Sequence, residues 1–228
     1  MKAPSLDPLG QALLEYWNGN PSAVLIHEFK NGDKRELPVS VFFRSPDGFF
    51  PTEKALPHCR GRVLVVGAGT GVHALELERA GHGVTAMDIC PEAVQIMKER
   101  GVKDARHRDF FQFNEGRYDT ILMLGQNIGM CQNLQGIKGL LDRCRSLLNP
   151  GGWLLVNSVE ESGGPHYPEN GYPGELVFRL SHGGHTGPWM HWLHVDFNTL
   201  KSHACGWETK ELASTKDGAF LAGLTPMD

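Results

Sequence analysis

The sequence predicts an α/β fold: a doubly wound sheet of mostly parallel strands, with an N-terminal cap and an inserted β-hairpin. Three observations carry this. From Gly61 onward, short apolar runs alternate with stretches of helical period. The first run, RVLVV at 62–66, breaks into the closely spaced glycines Gly67, Gly69 and Gly71 and resumes as a helix. The helices that follow stop on glycine or on Pro-Gly-Gly, so each strand is reached through a crossover, as a parallel sheet requires.

In chain order, SLDPLGQALLEYW (5–17) reads as a short helix with Leu9, Leu13 and Tyr16 or Trp17 near one face, ended by Asn18-Gly19-Asn20. AVLIHEF (23–29) and ELPVSVFF (36–43) read as strands or extended segments around the turn at 31–33. Residues 1–57 are thus a cap. Residues 58–158 hold the core. There RVLVVG, HGVTAMDI, DARHRD, YDTILML and WLLVNS are five strands. GVHALELERAG, PEAVQIMKERG and LQGIKGLLDRCRSLLNPGG are helices, the second with Pro91 in its first turn and Gly101 past its end. Residues 159–197 form a substrate-side insertion, a Gly/Pro-rich loop and then ELVFRLSHGG and PWMHWLHVDF as a hairpin. Residues 198–228 supply a short helix and a closing antiparallel hairpin, WETKELAST and GAFLAGL, which brings the sheet to seven strands.

Composition narrows the function classes. With 228 residues, 40% of them hydrophobic and 21% charged, the chain can bury a sizeable core as one unit spanning 1–228. A net charge of −4 leaves no global footprint for nucleic acid. The densest basic stretch, KERGVKDARHR (98–108), is interrupted by Glu99 and Asp104 and reads as a solvated helix end. Five cysteines, scattered and without a C-x-x-C pair, argue for a reducing compartment and against a disulfide framework or zinc knuckle. No apolar stretch approaches the ~20 residues of a membrane span. The expectation is a soluble cytoplasmic protein with no membrane partner. His191 and His194 stand three apart in a strand pattern, on opposite faces, so no metal is expected.

The glycines decide the ligand class. A dinucleotide fingerprint needs its third glycine at 72, where Val72 stands, and a phosphate-cradling loop needs a Lys that is absent after these glycines. The bare backbone still lets a ligand approach closely. Asp88, seventeen residues after Gly71 and at the end of the second core strand, can accept two hydrogen bonds from a ribose diol. The ligand therefore carries a ribose and need not carry a diphosphate, a description that fits S-adenosylmethionine.

VLVVGAGTGVHALELERAG, VTAMDICPEAV, RDFFQF, YDTILML and LLNPGGWLLV resemble the successive motifs of class I S-adenosylmethionine-dependent methyltransferases, over residues 61–158 and more weakly to the closing hairpin. The resemblance implies a Rossmann-like seven-stranded sheet, S-adenosyl-L-methionine as methyl donor and S-adenosyl-L-homocysteine as product. It implies that Gly67, Ala68, Gly69 and Gly71 pass beneath the methionine moiety. Asp88 takes the ribose hydroxyls, Ile89 the adenine face, and Asp109 the adenine amino group with Phe110 beside it. Leu124 and Gly125 form the floor under the methyl group, and Arg44 and Tyr16 are candidates for the donor's carboxylate. The chain is also similar to a group of bacterial methyltransferases with a YWNGNP start, an ELPVSVFFRSP segment and a YPGE…TGPW…VDF insertion.

The acceptor is less legible. Enzymes that methylate exocyclic amines of bases tend to carry an Asn/Asp-Pro-Pro-Tyr motif after the fourth strand; this chain has LGQNIGM (124–130). With the acidic balance, that departure points to a small-molecule acceptor at O, N or S, with Gln126 and Asn127 near the methyl group. The insertion supplies an aromatic, histidine-bearing wall suited to a small, partly apolar ligand. The catalytic residue stays open, with His166, His185 and Tyr167 as candidates. An RNA-directed methyltransferase and a non-catalytic module that binds the donor remain as alternatives; a nicotinamide dehydrogenase is disfavoured by Val72.

Overall fold

A computed structural model describes residues 3–45, 47–48, 50–161 and 171–227. The front half holds α1 (Asp7–Trp17), β1 (Val24–Phe29), β2 (Lys34–Pro38), α2 (Thr52–Ala55), β3 (Arg62–Val66), α3 (Val72–Arg79), β4 (Gly83–Asp88), α4 (Pro91–Glu99) and β5 (Ala105–His107). The second half holds β6 (Tyr118–Met123), α5 (Gly136–Leu147), β7 (Leu148–Val159), β8 (Glu175–His182), β9 (His185–Thr186), β10 (Met190–Leu193), α6 (Phe197–His203), β11 (Trp207–Ser214) and β12 (Ala219–Pro226).

The main sheet has seven strands in the order β11-β12-β7-β6-β3-β4-β5. The five strands from β5 to β7 run parallel, and β12 and then β11 close the edge antiparallel. β3 explains the layering. Its VLVV run is buried on both faces, and alternation sends Leu64 and Val66 into one core and Val63 and Val65 into the other. The first core continues into Ile137, Leu140 and Leu141 of α5, the second into Ala74 and Leu77 of α3.

A second, smaller sheet runs β10-β8-β1-β2, with β9 also on β8. The N-terminal cap and the insertion are therefore one structure: β1 pairs antiparallel with β8, Ile26 opposite Ser181 and Phe29 opposite Phe178. The inner face of β8, Leu176, Phe178 and Leu180, packs with Leu25 and Phe29 of β1 and Ala12 and Leu13 of α1. The same cluster includes Ala93 and Ile96 of α4, so α1 is the layer between the small sheet and the main domain. A polar link reinforces it: His182 meets the Val24 carbonyl through Nδ1 at 2.8 Å and Glu15 of α1 through Nε2 at 2.6 Å.

Two segments differ from expectation. The ELPVSVFF stretch is strand only to Pro38, and Val39–Phe42 is a 3-10 turn. Proline cannot donate to the ladder, and the Val39 N–H, on the Ala23 carbonyl at 2.9 Å, makes one further bond in the same register before the chain turns. The chain then turns Phe43 onto Tyr16, ring centroids 4.6 Å apart. The Asn149-Pro150-Gly151-Gly152 run, expected only to stop a helix, is the start of β7, with a register shift on the β6 side. No helix among the described residues is long and apolar enough to cross a membrane.

If α1, β1 and β8 share one core, damage to the insertion must be felt at the N-terminus. Leu180→Ala, at a position 3% exposed, should cost about 2–5 kcal/mol in urea unfolding. Hydrogen exchange should report faster opening of amides in α1.

Candidate functional site

A cavity of about 690 Å³ opens at the carboxyl ends of β3, β4 and β6. This is where the strand order departs from β3 in both directions, the place at which open α/β sheets hold ligands. Its floor is the β3–α3 loop and its roof is made by the cap and by β10: Leu9, Leu13 and Phe42 from one, Met190 and Trp192 from the other.

The loop is built around backbone that only glycine adopts readily. Gly67 has φ +63°, and a Cβ there would lie 2.3 Å from Asn127 Nδ2. That nitrogen donates to the carbonyls of Val66 and Gly67 at 3.1 and 2.9 Å, so Asn127 holds the loop from the β6 side. Gly69, φ +55°, has nothing within 4 Å of its missing Cβ and lines the cavity. Gly71 does different work. A Cβ there would meet Val102 and Met97 at 2.8 and 2.9 Å, so its bareness lets α3 pack against the end of α4.

Asp88 ties this loop to the next one. Its Oδ2 accepts the Gly69 N–H at 2.8 Å and its Oδ1 the Cys90 N–H at 2.9 Å. Burial pushes the carboxyl above its ordinary value, against the pull of the Cys90 and Gly69 N–H groups. A carboxylate has about four lone-pair sites, so acceptor capacity remains after those two bonds, and Asp88 lines the cavity. Ile89 stands beside it, and Asp109 and the buried Phe110 lie across the opening. Asp109 Oδ1 also caps its own turn, accepting the Phe111 N–H at 2.9 Å.

Ten of the residues expected at the site thus line one cavity: Gly67, Ala68, Gly69, Asp88, Ile89, Asp109, Phe110, Leu124, Gly125 and Arg44. Gly71, Tyr16 and His185 do not line it. Gly71 is taken up by helix packing and Tyr16 by its stack on Phe43, while His185 sits exposed on the edge strand β9. His166 and Tyr167 lie outside the described residues. Asn127, expected to face an acceptor, spends its amide protons on the glycine loop. Gln126 is held at φ +61°, its N–H on Asn157 Oδ1 at 3.1 Å.

Sequence reasoning missed His73 and Thr52. Both line the cavity, and Thr52 Oγ1 and His73 Nε2 are 3.0 Å apart. In GVHALELERAG, His73 reads as an ordinary polar position of an amphipathic helix; only the fold brings the residues after β2 over its ring. Burial, with the positive charge of Arg44 nearby, pushes the imidazole down to about 4. Trp192 was legible as part of an aromatic wall, but its seat was not: it lies so close on the Asn127–Cys131 turn that a Cβ on Gly129 would come within 2.0 Å of the indole nitrogen.

Comparison with known proteins yields concordant matches. A family model described as a methyltransferase domain matches residues 43–212. The crystal structure of a SAM-dependent methyltransferase from Bacteroides fragilis in complex with S-adenosyl-L-homocysteine aligns with a TM-score of 0.90 and 32% identity, covering 99% of this chain and 97% of that one. A ubiquinone biosynthesis O-methyltransferase of Xylella fastidiosa is 27% identical over 117 residues, 48% of this chain and 46% of that protein. A demethylmenaquinone methyltransferase of Tropheryma whipplei is 33% identical over 99 residues, 41% of this chain and 40% of that protein. The matched stretch spans less than half the length of these curated relatives.

The state of His73 is measurable through stability. The unfolded chain takes up a proton there below about pH 6.5, the folded protein only near 4, so stability falls as pH drops through that window. Replacing His73 by Asn should make the fall shallower by one bound proton, about 1.4 kcal/mol per pH unit. Denaturant melts of both proteins across that pH range check it.

Proposed function

The chain belongs to the methyltransferase-domain family, and on that premise we propose that it transfers a methyl group from S-adenosylmethionine to O, N or S of a small molecule. The observation that carries the reading is Asp88 beside the open backbone of Gly69, at the switch point of the sheet. A ribose diol finds a carboxylate with acceptor sites to spare, and the adjoining sulfonium amino acid finds a stretch of chain with no side chain in its way. The residues lining the cavity fit that donor in their chemistry.

When bound, the donor supplies a methyl group already activated by the sulfonium charge. What remains for the protein is alignment and exclusion of water, and alignment alone is worth about 7–11 kcal/mol of barrier. Asp88, with Ile89 and Asp109, orients the nucleoside. Asn127 keeps Gly67 and Val66 in place, and Leu124 and Gly125 set the floor below the reacting centre. The roof of Leu9, Leu13, Phe42, Met190 and Trp192 excludes water and offers an acceptor a flat, apolar surface. An apolar roof and a net charge of −4 favour a small molecule over RNA. The named relatives that methylate quinone precursors support an acceptor of that size class. The buried free thiols of Cys59, Cys90, Cys131 and Cys144 support a reducing, cytoplasmic location.

Calorimetric titration with S-adenosylmethionine and S-adenosylhomocysteine tests the reading. Both should bind, and Asp88→Ala should weaken both by about 1.5–3 kcal/mol. Unchanged affinity would remove Asp88 from the site. A pair of glycine variants separates binding from folding. Gly69→Ala should lower donor affinity with a stability loss of only about 1–2 kcal/mol from its left-handed backbone. Gly71→Ala, which drives a methyl group into Val102 and Met97, should mainly lower the melting temperature.

A further inference from the structure

Resting on the methyl-donor reading, we propose that His73 is a donor-binding residue: with Arg44, it holds the α-carboxylate of the donor's amino-acid moiety through Nδ1–H. His73 lies in the first turn of α3, two residues past the glycine loop, and lines the same cavity as Gly69 and Arg44. Nε2 is engaged by the Thr52 hydroxyl at 3.0 Å. Among the described residues Nδ1 has no protein partner. If the Thr52 hydroxyl donates to Nε2, the one proton of a neutral imidazole must sit on Nδ1, which then can only donate. Thr52 is itself buried, 1% exposed, so the hydroxyl's position is set by packing.

The charges agree with an anion at this place. Burial and Arg44 keep the ring neutral far below physiological pH. A neutral donor beside a guanidinium suits a zwitterionic amino acid next to a sulfonium: it grips the carboxylate without adding a further positive charge. On this assignment the ribose end is met by Asp88 and the amino-acid end by His73 and Arg44, all of which line one cavity with Gly69. Both ends of the cavity thereby have a polar anchor of suitable sign.

Titration of S-adenosylhomocysteine against 5′-methylthioadenosine, the same nucleoside thioether without the amino acid, tests this. His73→Leu should weaken S-adenosylhomocysteine by about tenfold or more, the loss of one hydrogen bond to a charged group, and leave methylthioadenosine within about twofold. His73→Asn, whose amide nitrogen can stand near the Nδ1 position, should recover most of the loss. Equal weakening of both ligands, or no weakening of either, overturns the assignment. Wild-type protein that binds neither ligand overturns the methyl-donor reading, and this inference falls with it. If the Leu variant does not fold, the wild-type protein still decides. The His73 ring-nitrogen resonance should shift on adding S-adenosylhomocysteine and stay on adding methylthioadenosine; a shift with both, or with neither, overturns the assignment.

Discussion

The Asp88 carboxylate, gripping the Gly69 and Cys90 N–H groups, is the interaction on which the rest of the crevice depends. Two strand-to-helix loops, β3–α3 and β4–α4, leave the sheet side by side, and each has N–H groups that its own helix cannot satisfy. One side chain serves both. It is partly desolvated in doing so, and burial outweighs the N–H groups in its effect on the carboxyl. In such surroundings each remaining hydrogen bond to the carboxylate is stronger than it would be in water, which suits the ligand role proposed for it. Asn127 completes the frame from β6, so the glycine loop is fastened from both of its neighbours in the sheet.

The roof has a different logic. The N-terminal segment and the insertion are far apart in sequence, as the Glu28–Arg179 ion pair across β1 and β8 makes plain, its partners 151 positions apart. Loop closure grows only logarithmically with length, so pairing distant strands costs little more than pairing near ones. The gain is a sheet with one buried face, Leu25 and Phe29 against Leu176, Phe178 and Leu180, which neither hairpin possesses alone. Because α1 packs on α4 through the same cluster, the side chains that cover the cavity are tied to a helix of the main domain. Gly129 extends this coupling: its lack of a side chain lets Trp192 settle on the turn that follows β6.

Much of the main sheet was legible because its signals are local. VLVV followed by glycines, VTAMDI followed by Cys-Pro and YDTILM each announce a buried strand through apolar continuity, and Pro91 and Gly101 mark a helix through backbone geometry. The residues at the ends of those strands were legible for the same reason, since a parallel sheet brings its carboxyl ends together whatever the helices do. What failed was long-range. Tyr16 looked free to meet a ligand until Phe43 took its ring. Asn127 does line the cavity, but its amide nitrogen donates to Val66 and Gly67. His73 carried no signal of its own within its helix, and only the fold brings Thr52 to its ring.

By itself, then, the sequence determined the order of strands and helices, the glycine bend after Val66 and the acidic tip at Asp88, because periodicity, helix stops and glycine's backbone freedom act within a few residues. Only the tertiary structure decided that cap and insertion share a sheet, which aromatic rings line the cavity, and which polar side chains are already engaged. Those outcomes turn on contacts between segments tens to more than a hundred residues apart, and such contacts leave no trace in local pattern: a histidine reads alike whether water or a threonine hydroxyl meets its nitrogen.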